Sequence, residues 1–180
     1  MILSDDSIIL HSRKFGDTSK IISVFSRNYG KFSLIAKGAR SAKSRYGAAL
    51  EPLSNTKIIW YNKQGRELQT LSKAESLLPL RQLMSSPDAL NASMIIAELV
   101  ATTQELNSPH EELYHITLRA LLAINSGLPP FTGAIWHSLK TTDLSGFAFN
   151  FDLFADNRIP IVAEKGAKYV LSISEGAALS

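Results

Sequence analysis

The 180-residue chain is 45% hydrophobic and 19% charged, a composition typical of globular proteins rather than of disordered chains. It contains no cysteine, which excludes disulfides, zinc sites with cysteine ligands and cysteine nucleophiles. The net charge of +3 hides an asymmetry, because residues 1–80 carry thirteen Lys/Arg against six acids and residues 81–180 carry six against ten. A basic half joined to an acidic half predicts two units with different partners, and the basic half is the candidate for nucleic-acid binding.

The N-terminus has no basic segment followed by an apolar core, so no signal peptide is predicted. No apolar run reaches the ~18 residues that a membrane span needs. We therefore expect a cytoplasmic protein without a membrane partner.

Five short strands are predicted in the first half, where apolar residues alternate with polar ones and Gly-containing turns intervene. Their predicted bounds are residues 7–14, 20–27, 31–37, 50–61 and 66–71. Five antiparallel strands in so short a span match a small Greek-key barrel such as the OB-fold. Phe25, Phe32 and Trp60 are expected to fill its core.

Three helices are predicted after the strands. The first starts at a Ser86-Pro87 cap and extends to about residue 106. The second starts at a capping box formed by Ser108 and Glu111, with Pro109 as its first residue, and the third spans about residues 131–144. The sequence thus predicts an α+β protein with an OB-fold domain at residues 1–78 and a helical domain at 79–180. The end of the latter, residues 146–180, is predicted to be an irregular tail with short strands.

The stretch from residue 30 to 45 is the strongest candidate for a binding site. It contains a predicted strand, then a loop in which small residues separate cations, and it has no acid. Such a loop suits phosphate binding without base recognition, although its composition is equally compatible with a solvated loop. The DNA-binding candidates are Arg13, Arg27, Lys31, Lys37, Arg40, Lys43, Arg45 and Lys63.

Aromatic residues lie beside these cations along the chain, a combination typical of single-strand platforms. The predicted base-stacking residues are Tyr29, Tyr46 and Tyr61. No phosphate-loop or dinucleotide glycine motif, nucleophile elbow or zinc spacing was found. We therefore expect neither catalysis nor a metal or other cofactor. Two alternatives to DNA binding remain: a scaffold whose basic barrel docks an acidic protein, and an RNA-binding OB protein.

Several segments of the sequence resemble those of a known family. The run 15–22 (FGDTSKII), the run 29–40 (YGKFSLIAKGAR) and the later blocks 50–52 and 67–71 resemble the N-terminal domain of the RecO family. The likeness covers about residues 1–150 well and the remainder loosely.

The resemblance implies a bacterial DNA-repair protein of the RecF pathway, a recombination mediator with an OB-fold followed by helices. It implies binding of single- and double-stranded DNA, annealing of complementary strands, and loading of the recombinase together with RecR. It also implies binding to the C-terminal tail of single-strand-binding protein, and a place at the nucleoid. By matching position, Lys37, Arg40, Lys43 and Arg45 inherit the DNA contacts.

Two departures from the family pattern are evident. Many members carry a four-cysteine zinc module after the helices, whereas the corresponding residues 151–158 contain no cysteine, so no zinc module is expected. Members are also usually longer, which leaves a short natural variant and a truncated chain as open alternatives and puts the site for the partner tail in doubt.

Overall fold

A computed structural model of the chain describes residues 1–41, 44–78 and 80–147, together with the backbone of three two- to four-residue strands further on. Five strands come first: β1 (Ile2–Phe15), β2 (Ser19–Ser26), β3 (Gly30–Ala36), β4 (Asn55–Tyr61) and β5 (Leu68–Leu78). Three helices follow: α1 (Pro87–Thr103), α2 (Glu111–Asn125) and α3 (Pro130–Leu144). The short strands are β6 (Ile161–Val162), β7 (Lys168–Leu171) and β8 (Ala178–Leu179).

The first five strands form a closed barrel in the order β1-β2-β3-β5-β4. Every neighbouring pair is antiparallel except β3 and β5, which are parallel. Closure leaves no open sheet edge. Together with the helices, this confirms the predicted OB-fold barrel followed by a helical part.

The alternation along the strands produces two hydrophobic cores. The barrel interior holds Phe32 and Trp60, as predicted, together with Leu34. Phe25 is also fully buried, but its side chain belongs to the second core, between the barrel and the helices. There its ring lies 6.2 Å from that of Tyr114 on α2.

Three strand boundaries differ clearly from the prediction. β1 starts at Ile2 and not at residue 7, because its first part pairs with β4. Residues 50–54 do not belong to β4, because a 3₁₀ helix (Gly47–Leu50) and a turn precede it. Leu53 adopts φ +69°, is buried, and donates its N–H to the Ile9 carbonyl at 2.8 Å. β5 extends to Leu78 because its second half continues to pair with β4.

The helix starts were predicted with mixed success. Ser86 caps α1 as expected, and its hydroxyl accepts the Ala89 N–H at 3.1 Å. The predicted capping box at Ser108 is wrong: α2 starts at Glu111, and the Nδ1 of His110 accepts the Leu113 N–H. Tertiary contact explains the difference, because the Ser108 backbone packs against Gly30 and the Asn107 N–H is bound to the Lys31 carbonyl at 2.8 Å.

The predicted aromatic tail falls mostly outside the described residues, which include Phe147 but none of residues 148–160. Backbone strands β6, β7 and β8 lie within residues 146–180, where short strands were predicted. Among the helices in the described ranges, none combines the length and the apolarity needed to cross a bilayer.

Candidate nucleic-acid interface

The loop between β3 and the 3₁₀ helix is built from tight turns. Gly38 has φ +69°, and its carbonyl accepts both the N–H and the hydroxyl of Ser41, at 3.1 and 2.9 Å. The Ser44 N–H then binds the Ser41 carbonyl at 3.0 Å. The small residues Gly38, Ser41 and Ser44 are thus joined by short-range hydrogen bonds within this loop.

Arg40 fastens this loop to the β1–β2 turn. Its N–H donates to the Thr18 carbonyl at 2.8 Å, and its Nη1 donates to the Gly16 carbonyl at 3.0 Å. The residue remains exposed. Because a guanidinium has five N–H donors, one bond to the backbone leaves the others available for phosphate.

Arg45 lies over the ring of Tyr46, with 5.3 Å between the guanidinium carbon and the ring centroid. A hydrogen bond to the Tyr46 hydroxyl, more than the nearby Tyr46 and Tyr61 charges, raises the pKa of Arg45. Tyr46 itself is 5% exposed and belongs to the barrel core. The Tyr46 ring therefore packs under Arg45 and is too buried to stack on a base.

The strand register places another cation beside this loop. Arg13 on β1 is opposite Ile21 on β2, which is opposite Ile35 on β3, and Lys37 follows two residues later. All lie on the outer surface, since the alternate residues Ile22 and Leu34 are buried. We call Arg13, Lys37, Arg40 and Arg45 the basic face; all four are exposed and none forms an ion pair with an acid of the described residues.

Two predicted DNA contacts lie elsewhere, at the contact between barrel and helices. Arg27 binds Glu111 in the first turn of α2 through Nε, at 2.8 Å, and through Nη2. The hydrogen bonds and charge of Glu111 raise the pKa of Arg27, and those of Arg27 lower the pKa of Glu111. Lys31 donates its Nζ to the Ala101 carbonyl near the end of α1, at 2.6 Å. The Nε2 of His11 on β1 lies 3.3 Å from a carboxylate oxygen of Glu98 on α1.

The remaining predicted residues are spread around the barrel. Lys63 is exposed in the β4–β5 turn, and its backbone N–H and carbonyl are both bound by the Gln69 side chain, at 2.8 and 3.0 Å. Tyr29 and Tyr61 are 37% and 44% exposed, so both present ring surface. Lys43 lies outside the described residues.

Sequence reasoning missed two exposed cations that neighbour the predicted ones. Lys14 follows Arg13 at the end of β1, and Arg66 shares the turn of Lys63. Their own charge was the available signal, but proximity to the basic loop depends on the pairing of distant strands. No cluster of three or more potential metal ligands occurs within 1–41, 44–78 and 80–147.

Comparison of the sequence with known proteins identifies the family of the chain. Residues 1–79 match the family described as "Recombination protein O N terminal". The chain is 30% identical over 181 residues to DNA repair protein RecO of Salinibacter ruber, covering 97% of this chain and 66% of that protein. The chain belongs to the RecO family.

Other RecO proteins show the same relation. The RecO of Rubrobacter xylanophilus is 35% identical over 147 residues, covering 81% of this chain and 58% of that protein. The RecO of Chloroherpeton thalassium is 29% identical over 182 residues, covering 92% of this chain and 70% of that protein. The chain therefore spans roughly three fifths to two thirds of the length of these RecO relatives. The match to the RecO N-terminal family includes all five barrel strands and the whole basic face.

Proposed function

We propose that this chain is a DNA repair and recombination mediator that binds single- and double-stranded DNA through the basic face. One observation carries the proposal: Arg13, Lys37, Arg40 and Arg45 are exposed on or beside the loop that follows β3, without an ion-pair partner among the described acids. Lys43, Lys63, Tyr29 and Tyr61 are proposed to extend this contact. The relatives' designation as DNA repair proteins supports the same function.

The proposed mechanism is electrostatic and involves no catalytic step. Cations that neutralise phosphates release condensed counterions, which favours binding of any DNA sequence. When two complementary strands are held on such a surface, their mutual repulsion falls and base pairing proceeds. The basic face therefore needs no base-edge contacts to bring strands together for annealing.

We further propose a division of labour between residues 1–78, which bind DNA, and residues 79–180, which face protein partners. Family membership supports RecR and the acidic, hydrophobic tail of single-strand-binding protein as those partners, in the bacterial cytoplasm at the nucleoid. The acidic balance of residues 81–180 makes this half the less favourable one for DNA.

The test is fluorescence anisotropy of a labelled single-stranded oligonucleotide at several salt concentrations. Replacing Arg40, Lys43 and Arg45 together by Ala is expected to weaken binding by about tenfold or more at ~50 mM salt. It is also expected to lower the slope of log K against log salt by about 2, since each lost contact contributes about 0.7 on single strands. Unchanged affinity in this triple variant removes the loop from the interface.

A control variant with the same change of net charge replaces Lys57, Lys73 and Arg81, which are exposed on β4, β5 and the 3₁₀ helix (Arg81–Met84). We expect it to bind nearly as the parent does. Addition of the complementary strand then measures annealing, and competition by RNA and by an acidic peptide tests the two alternative functions. Binding of the peptide with no binding of DNA contradicts the proposal.

A further inference from the structure

A pocket of about 360 Å³ opens at one end of the barrel, beside Tyr29. The β2–β3 turn, the end of β4 and the connection between α1 and α2 enclose it. Its lining includes Tyr29, Phe32, Trp60, Asn62, Gln69 and Asn107, and no charged residue among those that the structure describes. We call it the barrel-end pocket. Its volume is at the lower end of the range for small-molecule sites, about 300–1,000 Å³, so it suits a single ring system.

The wall formed by the helical connection is held in a fixed position. Gly30 has φ +70°, and a Cβ built on it would lie 2.2 Å from the Ser108 carbonyl oxygen. Asn107 has φ +57°, a conformation uncommon for residues other than Gly. Its N–H is bound to the Lys31 carbonyl. These contacts fix the backbone that carries the Asn107 side chain at the pocket.

Aromatic rings form the apolar part of the pocket. Tyr29 meets Trp60 edge to face, with centroids 5.1 Å apart and planes at 88°. Phe32 lies 5.0 Å from Trp60 on another side. Tyr29 is partly exposed whereas Trp60 and Phe32 are buried, so the rings form a floor and one accessible wall.

The amides of the pocket differ in their availability. The Gln69 side chain is occupied, because it binds the backbone of Lys63 at both ends and also the Arg66 carbonyl. The side chains of Asn62 and Asn107 form no hydrogen bond with any residue that the structure describes. A carboxamide offers a donor and an acceptor side by side, which is the pattern that pairs with a nucleobase edge.

We propose that the barrel-end pocket takes one unpaired nucleobase of the bound strand. This inference rests on the proposed DNA binding and adds to it a contact with one base of any sequence. An uncharged lining disfavours a phosphate or an acidic peptide, whereas aromatic rings with free amides fit a flat, neutral heterocycle. The exposed Lys63, in the turn next to Asn62, is placed to contact the adjoining phosphate.

Nucleosides test the pocket directly because they carry no phosphate. The chain has two tryptophans, so an indole ¹H–¹⁵N spectrum of the full chain contains two signals, which a Trp60→Phe variant assigns. We expect adenosine or thymidine to shift the Trp60 signal saturably and leave that of Trp136 in place.

Asn62→Ala combined with Asn107→Gly should weaken this binding about fivefold or more, since Gly accepts the backbone conformation at 107. Gln64→Ala, an exposed amide outside the pocket, is the matched control. No shift, or equal shifts of both signals, overturns the inference.

A second comparison separates this inference from DNA binding as such. An oligonucleotide and its abasic counterpart carry the same phosphates, and we expect the abasic one to bind about fivefold more weakly to the parent chain. The Asn62/Asn107 variant is expected to reduce this difference. Equal binding of the two oligonucleotides by the parent contradicts base binding in the barrel-end pocket and leaves the proposed DNA binding in place. Failure of both to bind overturns the proposed function and the base contact with it.

Discussion

The basic face and the junction between barrel and helices both contain arginine and lysine, but the partners of these cations differ. At the basic face, Arg40 and Arg45 are exposed and contact only backbone or an aromatic side chain. At the junction, Arg27 is paired with Glu111 and Lys31 with the end of α1. Both sets come from one basic half of the sequence. Net charge therefore identifies the half of the sequence that is rich in cations, but only their partners in three dimensions decide which cations remain available.

The largest expected effect comes from disturbing the junction. Gly30→Ala places a Cβ against the Ser108 backbone at a positive φ, so we expect a loss of about 3 kcal/mol or more in the free energy of unfolding. Gly65→Ala is the control, since Gly65 has φ +76° but nothing within 4 Å of the added Cβ. It should cost only about 1 kcal/mol from backbone strain. Urea unfolding measures both; equal losses contradict a role for the Ser108 contact.

The helical core is expected to respond to pH, unlike the basic face. Burial lowers the pKa of His137 to about 4 from an ordinary 6.5. Thr117 donates its hydroxyl to the Leu113 carbonyl and so accepts from the Nε2–H of a neutral His137. Because the pKa of His137 is lower in the folded state, the unfolded chain takes up the proton first as the pH falls. The free energy of unfolding is therefore highest above pH 6.5 and decreases as the pH falls towards 4. The expected loss is about 3 kcal/mol.

Unfolding by urea at pH 7.5, 5.5 and 4.5 measures this dependence. A His137→Leu variant lacks the titrating group, and its stability should fall less over the same interval. Carboxylates titrate in both proteins, so the difference between the two curves isolates the histidine. Parallel curves would show that His137 is not the source.

Single substitutions test the comparison between the two sets of arginines. Arg40→Ala is expected to weaken DNA binding and to lower the salt slope by about 0.7 on single strands. Arg27→Ala is expected to leave that slope nearly unchanged, because Glu111 already pairs with Arg27, and to lower the unfolding midpoint instead. Anisotropy titrations and urea unfolding of both variants provide the two readouts. A lowered salt slope in Arg27→Ala would assign Arg27 to the DNA interface.

The sequence was sufficient for features that depend on neighbouring residues. Period-two alternation located the strands of the barrel, and Ser86 before Pro87 located the start of α1. It was insufficient where a distant segment decides. Arg27 and Glu111 are 84 residues apart, and the capping box at Ser108 was overridden by the approach of Gly30. The start of the fourth strand was likewise placed too early, because Leu53 adopts φ +69° and donates its N–H to the Ile9 carbonyl on the neighbouring strand β1.

The smallest expected effects distinguish the tyrosines. Tyr61 is 44% exposed, so Tyr61→Ala should weaken single-strand binding about fivefold if a base stacks there. Tyr46→Phe keeps the buried ring under Arg45 and removes only a hydroxyl bonded at 3.4 Å. Because the Arg45 guanidinium stays charged without that bond, DNA affinity should change less than about twofold. Anisotropy measures both variants, and Tyr61→Phe, which retains a stacking face, is the control for the first. A large loss in Tyr46→Phe would mean that the orientation of Arg45, more than its charge, determines the contact with phosphate.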